Sequence, residues 1–280
     1  MYNILENVIY YSAGFLIALT LLTIVVSCEP VRYYIKFTTF ITSAAIPATL
    51  HLPFMLLRIR DWRNALFSAW CVKKVLEFLG VRFRVRGKEN IVKDSGSIVL
   101  INHQSILDLC VLGELWPVLT KCTVIAKKEI LYFGLFGLAS WLWGTIFINR
   151  QRGEEAQNAI NATAKCIKDL KANLLIFPEG SRHSGSTLLA FKKGAFHLAI
   201  ASQMPIQPII VSKYYFLSSK LKIFNSGVSY ITILPAISTK GLTKEDLPRL
   251  MEDTYQVMSK SFLETSKEAI NEYVDCLKDE

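Results

Sequence analysis

The chain has 280 residues, of which 51% are hydrophobic and only 20% charged, with a formal net charge of +9. Such a composition excludes a disordered chain, and with a mean hydropathy of +0.32 it argues against a wholly soluble globule. Six cysteines are scattered with no CxxC pair, which excludes a disulfide scaffold or a zinc ribbon and fits a reducing compartment. The basic surplus suits anionic lipid or phosphate-bearing ligands, and the apolarity favours lipid over nucleic acid.

The stretch Ile9 to Cys28 carries no charge. At about 1.5 Å per residue it is long enough to span one hydrocarbon core. Only Glu6 precedes it where a signal peptide needs basic residues, so a retained anchor is expected. A second apolar stretch, Phe37 to Leu57, contains Pro47, His51 and Pro53, and a broken or re-entrant helix is expected there. Behind it, Arg58, Arg60, Arg63, Lys73, Lys74, Arg82, Arg84, Arg86 and Lys88 face only Asp61 and Glu77. This basic segment reads as a solvated, lipid-facing surface, and the positive-inside rule puts everything after Leu57 in the cytosol. The expected division is therefore an N-terminal membrane anchor over 1–60 and a second domain over 61–280.

A third uncharged run, Ile130 to Ile148, is rich in glycine and tryptophan. Spanning would put the motifs on its two sides in opposite compartments, so a buried or interfacial helix is the more economical reading. Short apolar runs at Ser97–Ile101, Thr123–Ala126, Leu174–Phe177, Ile206–Val211 and Val228–Leu234 read as buried strands. Between them, Gly153–Lys171 has helical apolar spacing, and a further helix is expected from Leu247 to about Leu277 after a start at Thr243–Asp246. The alternation implies an α/β sheet.

The chemistry concentrates just past these strands. Asn102-His103-Gln104-Ser105-Ile106-Leu107-Asp108 follows the strand ending at Ile101. On one straight helix His103 and Asp108 would stand about 140° apart and could not meet. They meet if His103 lies in the strand-to-helix turn and Asp108 in the first helical turn, which places an imidazole where open α/β sheets present ligands. The carboxylate would then hold one ring nitrogen protonated and leave the other as a base. The alternative is that Ser105 to Asp108 is a capping box, with Asp108 closing the helix and His103 a surface histidine.

Phe177-Pro178-Glu179-Gly180-Ser181-Arg182 also follows a strand; glycine allows close backbone approach and the arginine fork suits phosphate, or the stretch is an ordinary turn. Gly144 to Arg150 ends the third apolar run with an arginine placed for a lipid headgroup or for simple snorkelling. Pro205-Ile206-Gln207-Pro208-Ile209 reads as a strand edge. His51, His183 and His197 have no ligand partners at recognisable spacing, so no metal is implied.

These four blocks, in this order, resemble the 1-acyl-sn-glycerol-3-phosphate (lysophosphatidic acid) acyltransferase family. The family's His-x4-Asp motif is matched by His103 and Asp108, its Phe-Ile-x-Arg by Phe147, Ile148 and Arg150, and its Phe-Pro-Glu-Gly-Thr-Arg by Phe177–Arg182, with Ser181 in place of threonine. Its proline-bracketed block is matched by Pro205 and Pro208, and the stretches Ala126–Glu129 and Phe191–Gly194 also look like family sequence. The likeness covers about residues 60 to 245.

The resemblance implies a mixed sheet flanked by helices, the glycerolipid acyltransferase fold, behind an N-terminal membrane-embedded helical segment. It implies acyl transfer from acyl-CoA to the sn-2 hydroxyl of lysophosphatidic acid at the endoplasmic reticulum membrane, with the catalytic domain cytosolic and acyl-CoA as co-substrate in place of any cofactor. His103 would be the general base and Asp108 its orienting partner. Lys127 would stabilise the oxyanion, with Lys128 as fallback. Arg150, Glu179, Gly180, Ser181 and Arg182 would shape the phosphate and glycerol site, and Pro205 and Pro208 would line the acyl or CoA side. The partners are acyl-CoA, lysophosphatidic acid and a phospholipid membrane, with no nucleic acid. Another lysophospholipid or glycerol 3-phosphate as acceptor, or a non-catalytic membrane lipid-binding protein, are the rivals.

Overall fold

Apolar runs in the middle of the chain build a seven-stranded sheet with helices on both faces. The computed structural model describes residues 11–12, 15–16, 19–20, 23, 27–148 and 154–278. The expected anchor at Ile9–Cys28 lies mostly outside these residues, and so does Arg150. The helices are α1 (Glu29–Leu50), α2 (Leu52–Met55), α3 (Leu66–Phe78), α4 (Asp108–Leu119), α5 (Gly134–Leu142), α6 (Glu154–Asp169), α7 (Lys193–Ser202) and α8 (Leu247–Lys278). The strands are β1 (Val81–Arg86), β2 (Ser97–Ile101), β3 (Cys122–Lys127), β4 (Ile146–Ile148), β5 (Asn173–Ile176), β6 (Ile206–Val211), β7 (Leu217–Ser218), β8 (Ile223–Phe224) and β9 (Gly227–Ile233).

The strand order is β1-β9-β6-β2-β5-β3-β4, with β7 and β8 forming a separate hairpin. Strands β6, β2, β5, β3 and β4 run parallel, and β9 joins β6 antiparallel, making the sheet mixed. All five residues of β2 are buried. A strand covered on both faces reads as an unbroken apolar run because successive side chains point to opposite layers. Val99 and Ile101 enter one core with α1, α3 and α4, whereas Ile98 and Leu100 enter the other with α6, α7 and α8.

Among the described residues no helix is long and apolar enough to cross a membrane. The second apolar stretch is divided: α1 continues through Pro47 and the break falls at His51, after which Pro53 sits in the first turn of α2. Proline is tolerated in a first turn, where its missing donor costs nothing. Nor does residue 60 separate two cores, because Tyr33 and Phe40 of α1 are buried in the same cluster as β2 and β9. The third uncharged run is also no span, being split into a 3-10 turn, the nine-residue α5 and β4.

The sheet corrects one reading of the basic segment. Val81-Arg-Phe-Arg-Val-Arg86 is strand β1, alternating apolar with basic residues. Arg84 and Arg86 are not lipid-facing; they pair with Glu272 and Glu268 of α8 at 2.9 and 2.8 Å.

Candidate active site

Parallel strands deliver their following loops to one edge of the sheet, and both polar motifs emerge there. Asn102 continues from β2 and pairs with the end of β6: its side-chain amide donates to the Val211 carbonyl at 3.0 Å, and its Oδ1 accepts from the Val211 N–H at 2.8 Å. Gln104 adds donations from Nε2 to the carbonyls of Val211 and Ser212, each at 3.0 Å. The turn that carries His103 is therefore clamped on both sides to the neighbouring strand.

The imidazole and Asp108 meet in that turn. His103 Nδ1 lies 2.6 Å from Asp108 Oδ2. The same oxygen accepts the backbone N–H groups of Gln104 at 2.6 Å and Ser105 at 3.0 Å, and Tyr214 donates its hydroxyl to Oδ1 at 2.7 Å. Asp108 opens α4 and is fully buried. A buried carboxylate with this many donors is an acceptor only, so Nδ1 carries the proton and Nε2 keeps its lone pair. The alternative of a plain helix cap is thereby answered: Asp108 ties back the turn and also holds the ring. Phe177 stacks on the imidazole with centroids 4.0 Å apart and an interplanar angle of 18°, fixing the ring's plane.

Glu179 braces the turn from the other motif. Its Oε1 accepts the His103 N–H and its Oε2 accepts the Leu189 N–H, each at 2.8 Å. Burial pushes this carboxyl up from the ordinary glutamate range, while those donors and the nearby His103 and His183 oppose the shift. The His183 N–H in turn donates to the His103 carbonyl at 2.8 Å. Both oxygens of Glu179 face backbone donors, so it braces the imidazole turn.

Gly180 adopts φ +67°, and a Cβ there would fall 2.8 Å from the Lys192 side chain, so glycine lets that lysine lie across the turn. Ser181 and Arg182 are exposed on the same edge. Lys127 and Lys128 are exposed where β3 ends. Since β5 separates β3 from β2, Lys127 stands two strand spacings, about 10 Å, from the strand that carries His103.

The proline block lies elsewhere. Ile206 pairs with Ile98, so Pro205 sits at the amino end of β6 and Pro208 pairs with Leu100 within the sheet. The prolines therefore do not line the carboxyl edge; register, which the spacing alone does not reveal, decides this. What does lie near Asp108 is an apolar cavity of about 200 Å³ between α1, α3, α4 and α5, lined among others by Ala69, Leu109, Gly113, Ala126 and Phe136. Ser68 also lines it, with a buried hydroxyl that finds no partner among the described residues. Sequence reasoning named neither this cavity nor Tyr214, whose burial and the Asp108 charge push its phenol well up and keep it a donor.

Comparison with known proteins gives a consistent result. A family model described as acyltransferase matches residues 82–212. The human 1-acyl-sn-glycerol-3-phosphate acyltransferase beta is 38% identical over 209 residues, covering 74% of each chain. The human alpha protein is 35% identical over 241 residues, covering 85% of this chain and 84% of its own. A 1-acyl-sn-glycerol-3-phosphate acyltransferase of Saccharomyces cerevisiae is 40% identical over 189 residues, covering 66% of this chain and 61% of its own. The crystal structure of the lysophosphatidate acyltransferase PlsC from Thermotoga maritima superposes with a TM-score of 0.62 at 21% identity, over 84% of this chain and 98% of that one, and carries the fold alone.

Proposed function

The chain belongs to the 1-acyl-sn-glycerol-3-phosphate acyltransferase family, and from that premise we propose that it transfers a fatty acyl group from acyl-CoA to the sn-2 hydroxyl of lysophosphatidic acid, giving phosphatidic acid and CoA. The observation that carries this reading is the imidazole at the sheet's carboxyl edge, its Nδ1 held by a buried carboxylate 2.6 Å away.

His103 Nε2 takes the proton of the sn-2 hydroxyl. The oxygen attacks the thioester carbonyl, forming the ester C–O bond and a tetrahedral oxyanion. Collapse breaks the C–S bond, and the imidazolium returns its proton to the departing CoA sulfur. Asp108 stabilises the imidazolium between these steps. A thioester is already an activated donor, so no acyl-enzyme is needed.

Lys127, or failing it Lys128, supplies positive charge for the oxyanion across the edge. Arg182 and Arg150, with the Gly180–Ser181 backbone, hold the acceptor's phosphate, and Glu179 keeps His103 in register with them. The apolar cavity beside α4 receives the acyl chain, in the place first expected of Pro205 and Pro208.

The membrane supplies the acceptor. Exposed Phe54, Leu57 and Ile59 lie on the segment that packs against α5, which is flanked by exposed Tyr132, Phe133 and Leu135. Arg58, Arg60, Lys127 and Lys128 rim the same region. Apolar side chains ringed by basic ones fit the interface of an anionic bilayer. Residues 1–60 form the membrane-facing part of the protein, the Ile9–Cys28 segment its anchor, and the site faces the cytosol from the endoplasmic reticulum membrane.

The test is an acceptor panel with labelled oleoyl-CoA and purified full-length protein. Preference for lysophosphatidate over lysophosphatidylcholine and glycerol 3-phosphate is expected, and indifference to the headgroup overturns the reading. His103→Ala is expected to lower kcat by about 10³-fold or more while leaving membrane association intact; unchanged turnover removes the mechanism.

A further inference from the structure

The proposed mechanism uses His103 and Asp108 and leaves a buried phenol without a task. Tyr214 lies just past β6, is 5% exposed, and reaches Asp108 from 106 residues away in the sequence. Its neighbours hold it in place. Its ring packs against Phe83 and Phe216, with centroids 6.2 and 5.7 Å away. The backbone leading to it is bound to the His103 turn through Asn102 and Gln104.

The donors on Asp108 are divided unequally. Oδ2 accepts from His103 Nδ1 and from two backbone N–H groups, whereas among the described residues Oδ1 has Tyr214 as its hydrogen-bond donor. A carboxylate can rotate about its Cβ–Cγ bond and can spread its charge over both oxygens. A donor on Oδ1 stops the rotation and draws charge away from Oδ2.

We propose that Tyr214 is a positioning residue for the acyl transfer: its hydroxyl locks the Asp108 carboxylate with Oδ2 towards the imidazole and sets how strongly that carboxylate supports the imidazolium. The proposal rests on the acyltransferase reading for its kinetic consequence, and on geometry alone for the coupling to His103. The other titratable groups around the pair are Cys110 on α4, Glu179 at the His103 amide and His183 at its carbonyl. Among the described residues none of them hydrogen-bonds to Oδ1, so a change there reports the phenol.

Removing the phenol leaves the charge concentrated on Oδ2, which strengthens its hold on a protonated ring. In Tyr214→Phe the titration of His103 is therefore expected to move up in pH by about 0.5, and the acid limb of kcat/KM with it. The rate constant kcat is expected to fall about tenfold at the optimum, with KM for both substrates changed less than twofold. Replacing Tyr214 with 3-fluorotyrosine, a stronger donor of nearly the same shape, is expected to move the His103 titration down.

The experiment reads ring-labelled histidine by NMR in the full-length protein in detergent, alongside the acyl-CoA assay. The chain has four histidines, which keeps assignment of His103 practicable. Opposite shifts in the two variants, with kcat reduced in Tyr214→Phe, support the proposal. A His103 titration that does not move, or one that moves the same way in both, overturns it even where thermal stability falls. If Tyr214→Phe fails to fold, the fluorinated protein decides alone. A wild-type protein that does not acylate lysophosphatidate defeats the functional reading and the kinetic arm, while the NMR arm still decides whether Tyr214 acts on His103.

Discussion

Two rims of the same sheet edge are built on opposite principles. Around Asp108 and Glu179 the carboxylates are buried, and each of their oxygens meets a donor. Around Phe54–Ile59 and Tyr132–Leu135 the side chains are large, apolar and open to solvent, with Leu57 81% and Tyr132 74% exposed. A buried polar group is stable only when paired, so the first rim is rigid and intolerant of change. A cluster of large apolar side chains left open to water marks a surface that meets another apolar one, which the proposed function assigns to lipid. On the proposed function, chemistry belongs to the paired rim and access to the open one.

The comparison breaks most sharply at Glu179. Glu179→Gln replaces one acceptor by an NH2 group and sets a donor against the backbone N–H of either His103 or Leu189. The expected cost is about 1–3 kcal/mol of stability, read as a lower Tm, together with a fall in kcat of about a hundredfold as the imidazole turn loosens. If Glu179 instead bound the acceptor's phosphate region, KM for lysophosphatidate would carry the loss and Tm would hold.

That contrast also explains what the sequence made legible. β2 and β6 are buried along their whole length and mostly apolar because both of their faces are covered, and they were readable for that reason. The meeting of His103 and Asp108 followed from a strand-to-helix turn, a local matter of five residues. β1 was hidden by its own arginines: alternation with period two was present, but the partners that make it a strand lie on β9 and α8, far along the chain. Tyr214 was invisible for the same reason. Its meeting with Asp108 depends on β6 lying next to β2, which no spacing encodes. Pro205 and Pro208 were legible as a motif but not as a place.

The cavity beside α4 is apolar like the open rim and partly sheltered by the helices around it. Ala69→Leu puts three further carbons into a space of about 200 Å³. If an acyl chain occupies it, the ratio of turnover with a 12-carbon to an 18-carbon donor rises about tenfold. An unchanged ratio across donor lengths places the acyl chain elsewhere.

The open rim is expected to yield a smaller effect. Tyr132→Ser with Phe133→Ser removes two exposed rings and leaves the buried carboxylates untouched. About a tenfold loss of kcat/KM is expected with lysophosphatidate held in anionic vesicles, and little change with a short-chain acceptor dissolved below its micelle concentration. Equal losses with both acceptors would mean that the rim serves the chemistry and not the approach to lipid.

The smallest effect tests whether tuning at the paired rim is special or general to the fold. His197 on α7 sits far from the dyad in sequence, and burial, then the Lys244 and Lys193 cations, push its imidazole down from the ordinary range. A base held below its unfolded value binds fewer protons when folded, so its contribution to stability is complete above about pH 6.5 and is lost as pH falls through the lowered value. His197→Gln is expected to flatten that slope in Tm against pH and to leave the pH profile of kcat/KM where it was. A shift of the acid limb in this variant would mean that the limb does not belong to His103, and the pairing of a buried carboxylate with one chosen imidazole would lose its functional meaning.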